Sequence, residues 1–323
     1  MRTIVVILTV AAALAAAAAD ASVATFGGKN GPIAFRRYFG NDQNAGAVFT
    51  IGADGKGERQ VTHPPARTLD DQPDWAPDGS LLVFVRCTQN AACGVYTIRP
   101  DGTHLTKVSP PCPAGARAPQ CEDDTTASFS PNGQLIAYGS YTGGDGNGLV
   151  VVNRRGLGRR TVVPRRGGIE LIDPQFSRDG KQLAFVQHNF GVKPKEGFAI
   201  FVVGLDGNGL RKVTPWTLGA GDNPDWSPDG KWLLFRSDTR RVRQSQIYRV
   251  HPDGSGLTRL TLFKSGTWVG SSSFSPNGRW IVYSATGTNG KPDLFVMRAD
   301  GSGARRVTRT PEWDSAADWG RAR

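Results

Sequence analysis

The sequence repeats itself, and the repeat leaves room for few folds. Five segments share one phrase: Pro73-Asp-Trp-Ala-Pro-Asp-Gly79, Ala127-Ser-Phe-Ser-Pro-Asn-Gly133, Pro174-Gln-Phe-Ser-Arg-Asp-Gly180, Pro224-Asp-Trp-Ser-Pro-Asp-Gly230 and Ser272-Ser-Phe-Ser-Pro-Asn-Gly278. Each runs into a short apolar stretch: Leu81–Val85, Leu135–Tyr138, Leu183–Val186, Trp232–Phe235 and Trp280–Tyr283. A sixth copy is split between the chain ends. Asn30-Gly31 with Ile33-Ala34-Phe35 is its second half, and Ala317-Asp318-Trp319 its first. The key glycines fall at 31, 79, 133, 180, 230 and 278, in steps of 47 to 54 residues. Self-similarity at such a period is the mark of a repeat architecture.

A second phrase recurs once per period. Asp54-Gly55, Asp101-Gly102, Asp206-Gly207, Asp253-Gly254 and Asp300-Gly301 each follow a β-rich run and precede a short Val-Thr or Leu-Thr stretch. Arg155-Gly156 takes that place in the third repeat. Proline presets a turn, Asp or Asn bonds its own backbone, and glycine accepts positive φ. Each period therefore reads as four short antiparallel strands, the blade of a propeller. The expected fold is all-β: a six-bladed β-propeller of four-stranded antiparallel blades, its ring closed by pairing of the N- and C-terminal strands. Blade 1 is split between about 30–62 and 313–320, and blades 2–6 start near 73, 127, 174, 224 and 272. Closure of this kind removes exposed edges. One aromatic register, holding Trp75, Phe129, Phe176, Trp226, Phe274 and Trp319, is read as packing between blades. The 41 glycines and 21 prolines fit a fold built from tight turns.

The phrase D-x-x-P-x-[WF]-S-P-D-G-x-x-[IL]-[AV]-[FY], with its later Asp-Gly turn, resembles the propeller repeat of the TolB family over roughly residues 30–320. The Gly-His and Trp-Asp signatures of WD-type repeats are missing. The resemblance implies a TolB-like propeller. TolB itself carries an α/β domain before its propeller and serves the Tol–Pal envelope system; here only about ten residues separate the expected leader from the first blade. The resemblance therefore carries the fold and not that specific role.

The first residues read as an address label. Met1-Arg2-Thr3 is basic, Ile4 to Ala19 is apolar, and Ala19-Asp20-Ala21 is a small-x-small site, so residues 1–21 are expected to be a cleaved signal peptide. Residues 22–323 form one propeller domain, periplasmic or extracellular. Export agrees with four cysteines, Cys87, Cys93, Cys112 and Cys121, an even count within one stretch. Three pairings are possible, and sequence proximity favours Cys87–Cys93 with Cys112–Cys121. A zinc site is the rival, but no C-x-x-C spacing and no neighbouring histidine supports it.

A propeller sorts its loops onto two faces. The Pro-Asp-Gly and Asp-Gly turns repeat on one face. The loops between second and third strands and the linkers between blades vary, and they share the other. Just before the innermost strands stand Asp70, Asp71, Asp123, Asp124, Asp173, Asp222 and Asp314. Such a ring of carboxylates suits a cationic group, a peptide amine or calcium; the alternative is that each bonds backbone in the next blade. No EF-type calcium loop is present. Aromatics sit in the same variable segments: Tyr38, Phe39, Tyr141, Phe190, Trp216, Trp268 and Trp313. The candidate funnel rim is Asp71, Asp124, Asp173, Asp222, Asp314, Trp216, Trp268, Trp313 and Tyr141.

The formal net charge is +11, with arginines clustered at 154, 155, 159, 160, 165 and 166 and at 240, 241 and 243. Nucleic acid is the cytosolic reading of such a balance. Export replaces it with anionic envelope polymers, or with a merely solvated surface. No G-x-S-x-G elbow, H-E-x-x-H, P-loop or dinucleotide fingerprint occurs. The histidines, His63, His104, His188 and His251, are scattered. Some TolB-like propellers resemble lyases that hold a metal through funnel histidines, and only His63 and His188 reach the variable face here. The expectation is a monomeric, non-catalytic scaffold with no cofactor and no metal, presenting the funnel to a peptide, protein partner or glycan. The rival is a polysaccharide lyase or hydrolase using Asp71, Asp222 and Asp314, since such chemistry needs spaced carboxylates. A third reading, an envelope protein held to anionic polymer by the arginine-rich blade, predicts strong salt dependence.

Overall fold

The computed structural model describes residues 28–40, 43–88, 92–111, 122–142, 146–189, 197–239, 244–287 and 290–323. The expected leader, Cys112 and Cys121, Phe190 and the arginines at 240, 241 and 243 lie outside them. Twenty-four strands are described. Blade 1 holds β1 (Asn30–Tyr38), β2 (Gly46–Ile51) and β3 (Arg59–Gln60). Blade 2 is β4 (Thr68–Trp75), β5 (Leu82–Thr88), β6 (Gly94–Ile98) and β7 (Thr106–Lys107). Blade 3 is β8 (Asp123–Phe129), β9 (Leu135–Thr142), β10 (Gly146–Asn153) and β11 (Arg160–Pro164). Blade 4 is β12 (Ile169–Phe176), β13 (Gln182–Asn189), β14 (Gly197–Gly204) and β15 (Arg211–Lys212). Blade 5 is β16 (Ala220–Trp226), β17 (Leu233–Thr239), β18 (Gln244–Val250) and β19 (Thr258–Arg259). Blade 6 is β20 (Val269–Phe274), β21 (Trp280–Thr286), β22 (Pro292–Arg298) and β23 (Arg305–Arg306). The last strand, β24 (Trp313–Arg321), pairs antiparallel with β1 and becomes the innermost strand of blade 1.

The ring follows from burial on both faces of each blade. Side chains alternate across a strand, so one run feeds two seams. In β5, Leu82 and Phe84 enter the seam with blade 1, and Val83 and Val85 the seam with blade 3. Six such apolar seams are present, one between each neighbouring pair of blades, including blade 6 against blade 1 through Val282, Leu294, Val296, Ile33 and Phe35. The aromatic register is core, as expected: Trp75, Phe129, Phe176, Trp226, Phe274 and Trp319 are each 3–7% exposed. The innermost strands touch in a circuit, with β24 against both β20 and β4.

The Asp-Gly turns have a packing role beyond turning the chain. Each sets its glycine, at positive φ, against an outer-strand carbonyl of the blade before it. Gly102 meets Val61, Gly301 meets Leu260, and Gly55 of blade 1 meets Val307 of blade 6. The turn Asp accepts the amide two residues on, as Asp54 does from Lys56 at 3.0 Å. Blade 3 lacks that Asp, and Asn153 replaces it by accepting from the amides of Arg155 and Leu157 at 2.9 and 3.0 Å. One departure from six separate sheets is present. Blades 1 and 2 share a single parallel bridge, Gly46 to Leu69, possible because Gly46 presents no side chain to Leu69.

Candidate functional site

Every innermost strand carries a register shift in its middle, at a fixed distance before the aromatic. The bulge residues are Ala316, Gln72, Thr126, Asp173, Asn223 and Ser271. Four of them, Gln72, Asp173, Asn223 and Ala316, hold positive φ of 39–55° although none is glycine. Bulges re-aim side chains, and strain of this kind persists only where the surrounding structure enforces it. Here it builds a polar belt across the channel. The Asn223 amide donates to Gln72 Oε1 at 2.6 Å, from blade 5 to blade 2 on the opposite side, and to Ser271 Oγ at 2.9 Å. Asp173 accepts from Thr126 Oγ1 at 2.5 Å and from the Asn223 backbone amide at 3.0 Å. Asn223 Oδ1 is buried with no hydrogen-bond partner.

Two residues deeper lies a second ring: Asp74, Ser128, Gln175, Asp225, Ser273 and Asp318. Its carboxylates clamp blade to blade. Asp318 accepts from the Trp75 amide at 2.8 Å, Asp74 from the Phe129 amide at 2.9 Å, and Asp225 from the Phe274 amide at 2.6 Å. Arg178 supplies the cation. It stands where four of the five unbroken phrases hold Pro, donates to the carbonyls of Trp226 and Ser227, and lies 3.9 Å from Asp225. Burial pushes the Asp225 carboxyl up to about 6 against the pull of Arg178. Burial raises Asp74 well above the usual carboxylate range, with the Asp318 charge adding to it, and Asp318 is raised by burial too. Crowded carboxylates in low dielectric resist ionising together, so all three groups are shifted upward. The lumen is about 60 Å³ around this ring and about 30 Å³ beneath the belt. That is space for a few waters, so a larger ligand has to sit at a mouth of the channel.

The variable-face rim is built from arginine pairs. Arg36 grips both oxygens of Asp71 at 2.5 and 2.6 Å and also donates to Ser315. Arg37 bridges Asp314, at 2.7 and 3.0 Å, to Glu58, at 2.6 and 2.9 Å. Arg86 grips Asp70 at 2.6 and 2.7 Å. Asp124 is buried, accepts from Ser140 at 2.8 Å, and is pushed by burial up to about 6. Beside these pairs stands an aromatic wall. Trp313 packs edge-on against Trp268 and Tyr38, at 5.2 and 6.0 Å, and Arg36 lies over the Tyr38 ring at 4.1 Å.

Asp71, Asp314, Trp268 and Trp313 thus come together at one side of the mouth, and Asp173 enters the belt. Two candidates stand apart. Tyr141 is tied between blades 3 and 4, its hydroxyl donating to the Leu171 carbonyl at 2.6 Å and accepting from the Leu171 amide at 2.8 Å. Trp216 packs on Phe201 and Lys212 at the outer part of blade 4. The Asp222 backbone lies in β16. Cys87 and Cys93 form a disulfide, as proximity suggested. His188 stacks on Phe198 at 3.9 Å, with Nδ1 3.4 Å from Glu170. Among the described residues, no group of three or more His, Cys, Asp or Glu side chains is placed to hold a metal ion.

With the propeller and its channel in view, comparison with known proteins adds the family. Residues 119–286 match the TolB beta propeller domain. The chain belongs to this TolB propeller family. An uncharacterised protein of Agrobacterium fabrum is 27% identical over 225 residues, 67% of this chain and 65% of that protein. The protein TolB homolog of Chlorobium luteolum is 28% identical over 227 residues, 70% of this chain and 46% of its own length. The chain therefore spans less than two thirds of these relatives. The crystal structure of TolB from Acinetobacter baumannii superposes with a TM-score of 0.69 at 17% identity, covering 91% of this chain and 68% of that one. At that identity the likeness is one of fold.

The carboxylate ring, Arg178 and the Gln72–Asn223 bridge were not among the residues singled out from sequence. Two signals for them were present. Arg178 breaks the Pro-Asp-Gly phrase, and Asp precedes the aromatic in three of six copies, at 74, 225 and 318. Nothing local announces the Gln72–Asn223 bridge, because its partners are 151 residues apart.

Proposed function

We propose that this protein is an exported, non-catalytic binding propeller whose variable-loop face receives a peptide or a segment of a protein partner. The observation that carries this reading is the unsatisfied, buried Asn223 Oδ1 in the belt, on a side chain whose amide nitrogen bonds Ser271 of β20, the strand that Trp268 directly precedes. A buried acceptor without a donor costs free energy that an incoming N–H recovers. A peptide brings backbone N–H groups to such an acceptor and apolar side chains to the indoles, which are frequent anchors at interfaces. The rim carboxylates Asp71 and Asp314 are held by Arg36 and Arg37, so on this reading they shape the mouth instead of serving as an acid and base. Export is supported by the Cys87–Cys93 disulfide, which belongs to an oxidising compartment, and by the basic-then-apolar start of the sequence. No helix among the described residues is long and apolar enough to cross a membrane. On this reading the protein acts as a monomer, needs no cofactor and does not bind nucleic acid.

The test is a selection from a displayed peptide library on the immobilised protein, repeated with a Trp268→Ala/Trp313→Ala variant. Selected peptides are expected to lose at least tenfold in affinity on the variant, with its melting curve retained. Peptides that bind both proteins alike would place the site elsewhere. Turnover of an oligosaccharide that disappears in Asp71→Asn would replace the reading with the enzymatic one.

A further inference from the structure

The opposite face holds a second feature, unconnected with the peptide mouth. In blades 2–6 a tight hairpin turn joins the innermost strand to the second, and in blades 2–5 its proline, or Arg178 in blade 4, packs on the turn glycine of the next blade: Pro77 on Gly133, Pro131 on Gly180, Arg178 on Gly230, Pro228 on Gly278. Blade 1 has no such turn, because its innermost strand is β24 and its second is β1. The ring of turns is interrupted there, and a cavity of about 750 Å³ opens at the gap. Its walls are the indoles of Trp75, Trp280 and Trp319 with Pro32, Pro100 and Ala53. Its charged side chains are Arg305, Arg321 and Arg323 against Asp54.

Three features mark this as a place for a ligand. The volume is that of a small-molecule pocket, and the lining is apolar with a few polar groups, the usual composition of one. Trp75 Nε1 is buried without an acceptor, whereas its equivalents donate, Trp226 to the Gln175 carbonyl at 3.2 Å and Trp319 to the Gly31 carbonyl at 3.0 Å. Arg321 is an exposed residue whose side chain runs past Gly28 and has no hydrogen bond or ion pair among the described residues, while Arg305 and Arg323 hold the carbonyls of Ala53 and Gly79. Gly320 lets the Trp75 ring lie flat on the β24 backbone, since a Cβ there would stand 2.7 Å from three ring atoms.

We propose that this seam cavity binds an amphiphilic organic anion, with an aromatic or aliphatic body among the indoles and one anionic head toward Arg321 and Arg305. The apolar walls supply affinity by burial, and the excess of guanidinium over carboxylate selects the charge. The test uses two fluorescent probes of the same skeleton: anilinonaphthalene sulfonate, which is anionic, and N-phenylnaphthylamine, which is neutral. Both are titrated into the folded full chain, and melting is followed in parallel. The anionic probe is expected to saturate at one site and to bind at least tenfold tighter than the neutral one. Arg305→Glu/Arg321→Glu is expected to weaken the anionic probe at least tenfold and the neutral probe less than threefold. Ala53→Trp, which places a large side chain on the cavity wall, is expected to abolish binding of both. Equal affinities for the two probes, or saturation unchanged in both variants, would overturn the proposal. So would the absence of saturable binding to the wild-type chain.

Discussion

At the scale of single residues, the channel runs against the usual rule that buried charges are matched one for one. Asp74, Asp225 and Asp318 all act on the guanidinium of Arg178, three carboxylates to one shared cation. In the unfolded chain an Asp titrates near 3.9. In the fold, burial raises Asp225 to about 6, and Asp74 and Asp318 move in the same direction. Between those values the native state binds more protons, so the ring's contribution to stability falls as pH rises through about 6. The hairpin aspartates Asp78, Asp179 and Asp229 are lowered despite partial burial, by bonds from neighbouring hydroxyls and amides, so their contribution is lost on acidification below about 4. Maximum stability is therefore predicted between about pH 4 and 6, with a higher urea midpoint at pH 5 than at pH 7.5. Arg178→Ala should cost about 3–5 kcal/mol at pH 7.5, because it strips the counter-charge from buried carboxylates, and clearly less at pH 5. Equal costs at the two pH values would mean that the ring carries no extra protons.

At the scale of elements, the repeated turns hold neighbouring blades together. Gly301, at φ 89°, would place a Cβ 2.2 Å from the Leu260 carbonyl oxygen. Gly301→Ala is predicted to cost about 2–4 kcal/mol in denaturant unfolding, by steric conflict with fixed backbone as well as by positive φ. A loss below 0.5 kcal/mol would show that the turn relaxes freely. These turns were legible in the sequence because a left-handed glycine must recur at one register. Strand order and the aromatic seams were legible for the same reason. The rim was not. Asp71 and Asp314 stand in the sequence as acidic residues, but their partners Arg36 and Arg37 are 35 and 277 positions away, so local pattern could not reveal an ion pair. Asn153 was equally hidden, since it replaces the lost turn Asp from two positions upstream.

At the scale of the whole molecule, β24 makes six blades into one ring. It covers β1, fills the seam with Trp319 and Ala317, and supplies Asp318 to the channel. Removing residues 313–323 would expose an edge strand and the Ile33–Phe35 face together. Loss of a cooperative thermal transition is expected by calorimetry, and retention of one within a few degrees would show that the ring tolerates an open blade. On the proposed reading, ligand recognition belongs to the variable-loop mouth, with the channel below it as a structural core. Hydrogen–deuterium exchange with and without a saturating selected peptide separates the two parts. Slowed exchange is predicted in Arg36–Tyr38, Val269–Ser271, Trp313–Ser315 and Leu69–Gln72, with no change at the hairpin turns around Asp78, Asn132 and Asp229. Protection confined to those turns, or spread evenly around the ring, would contradict it.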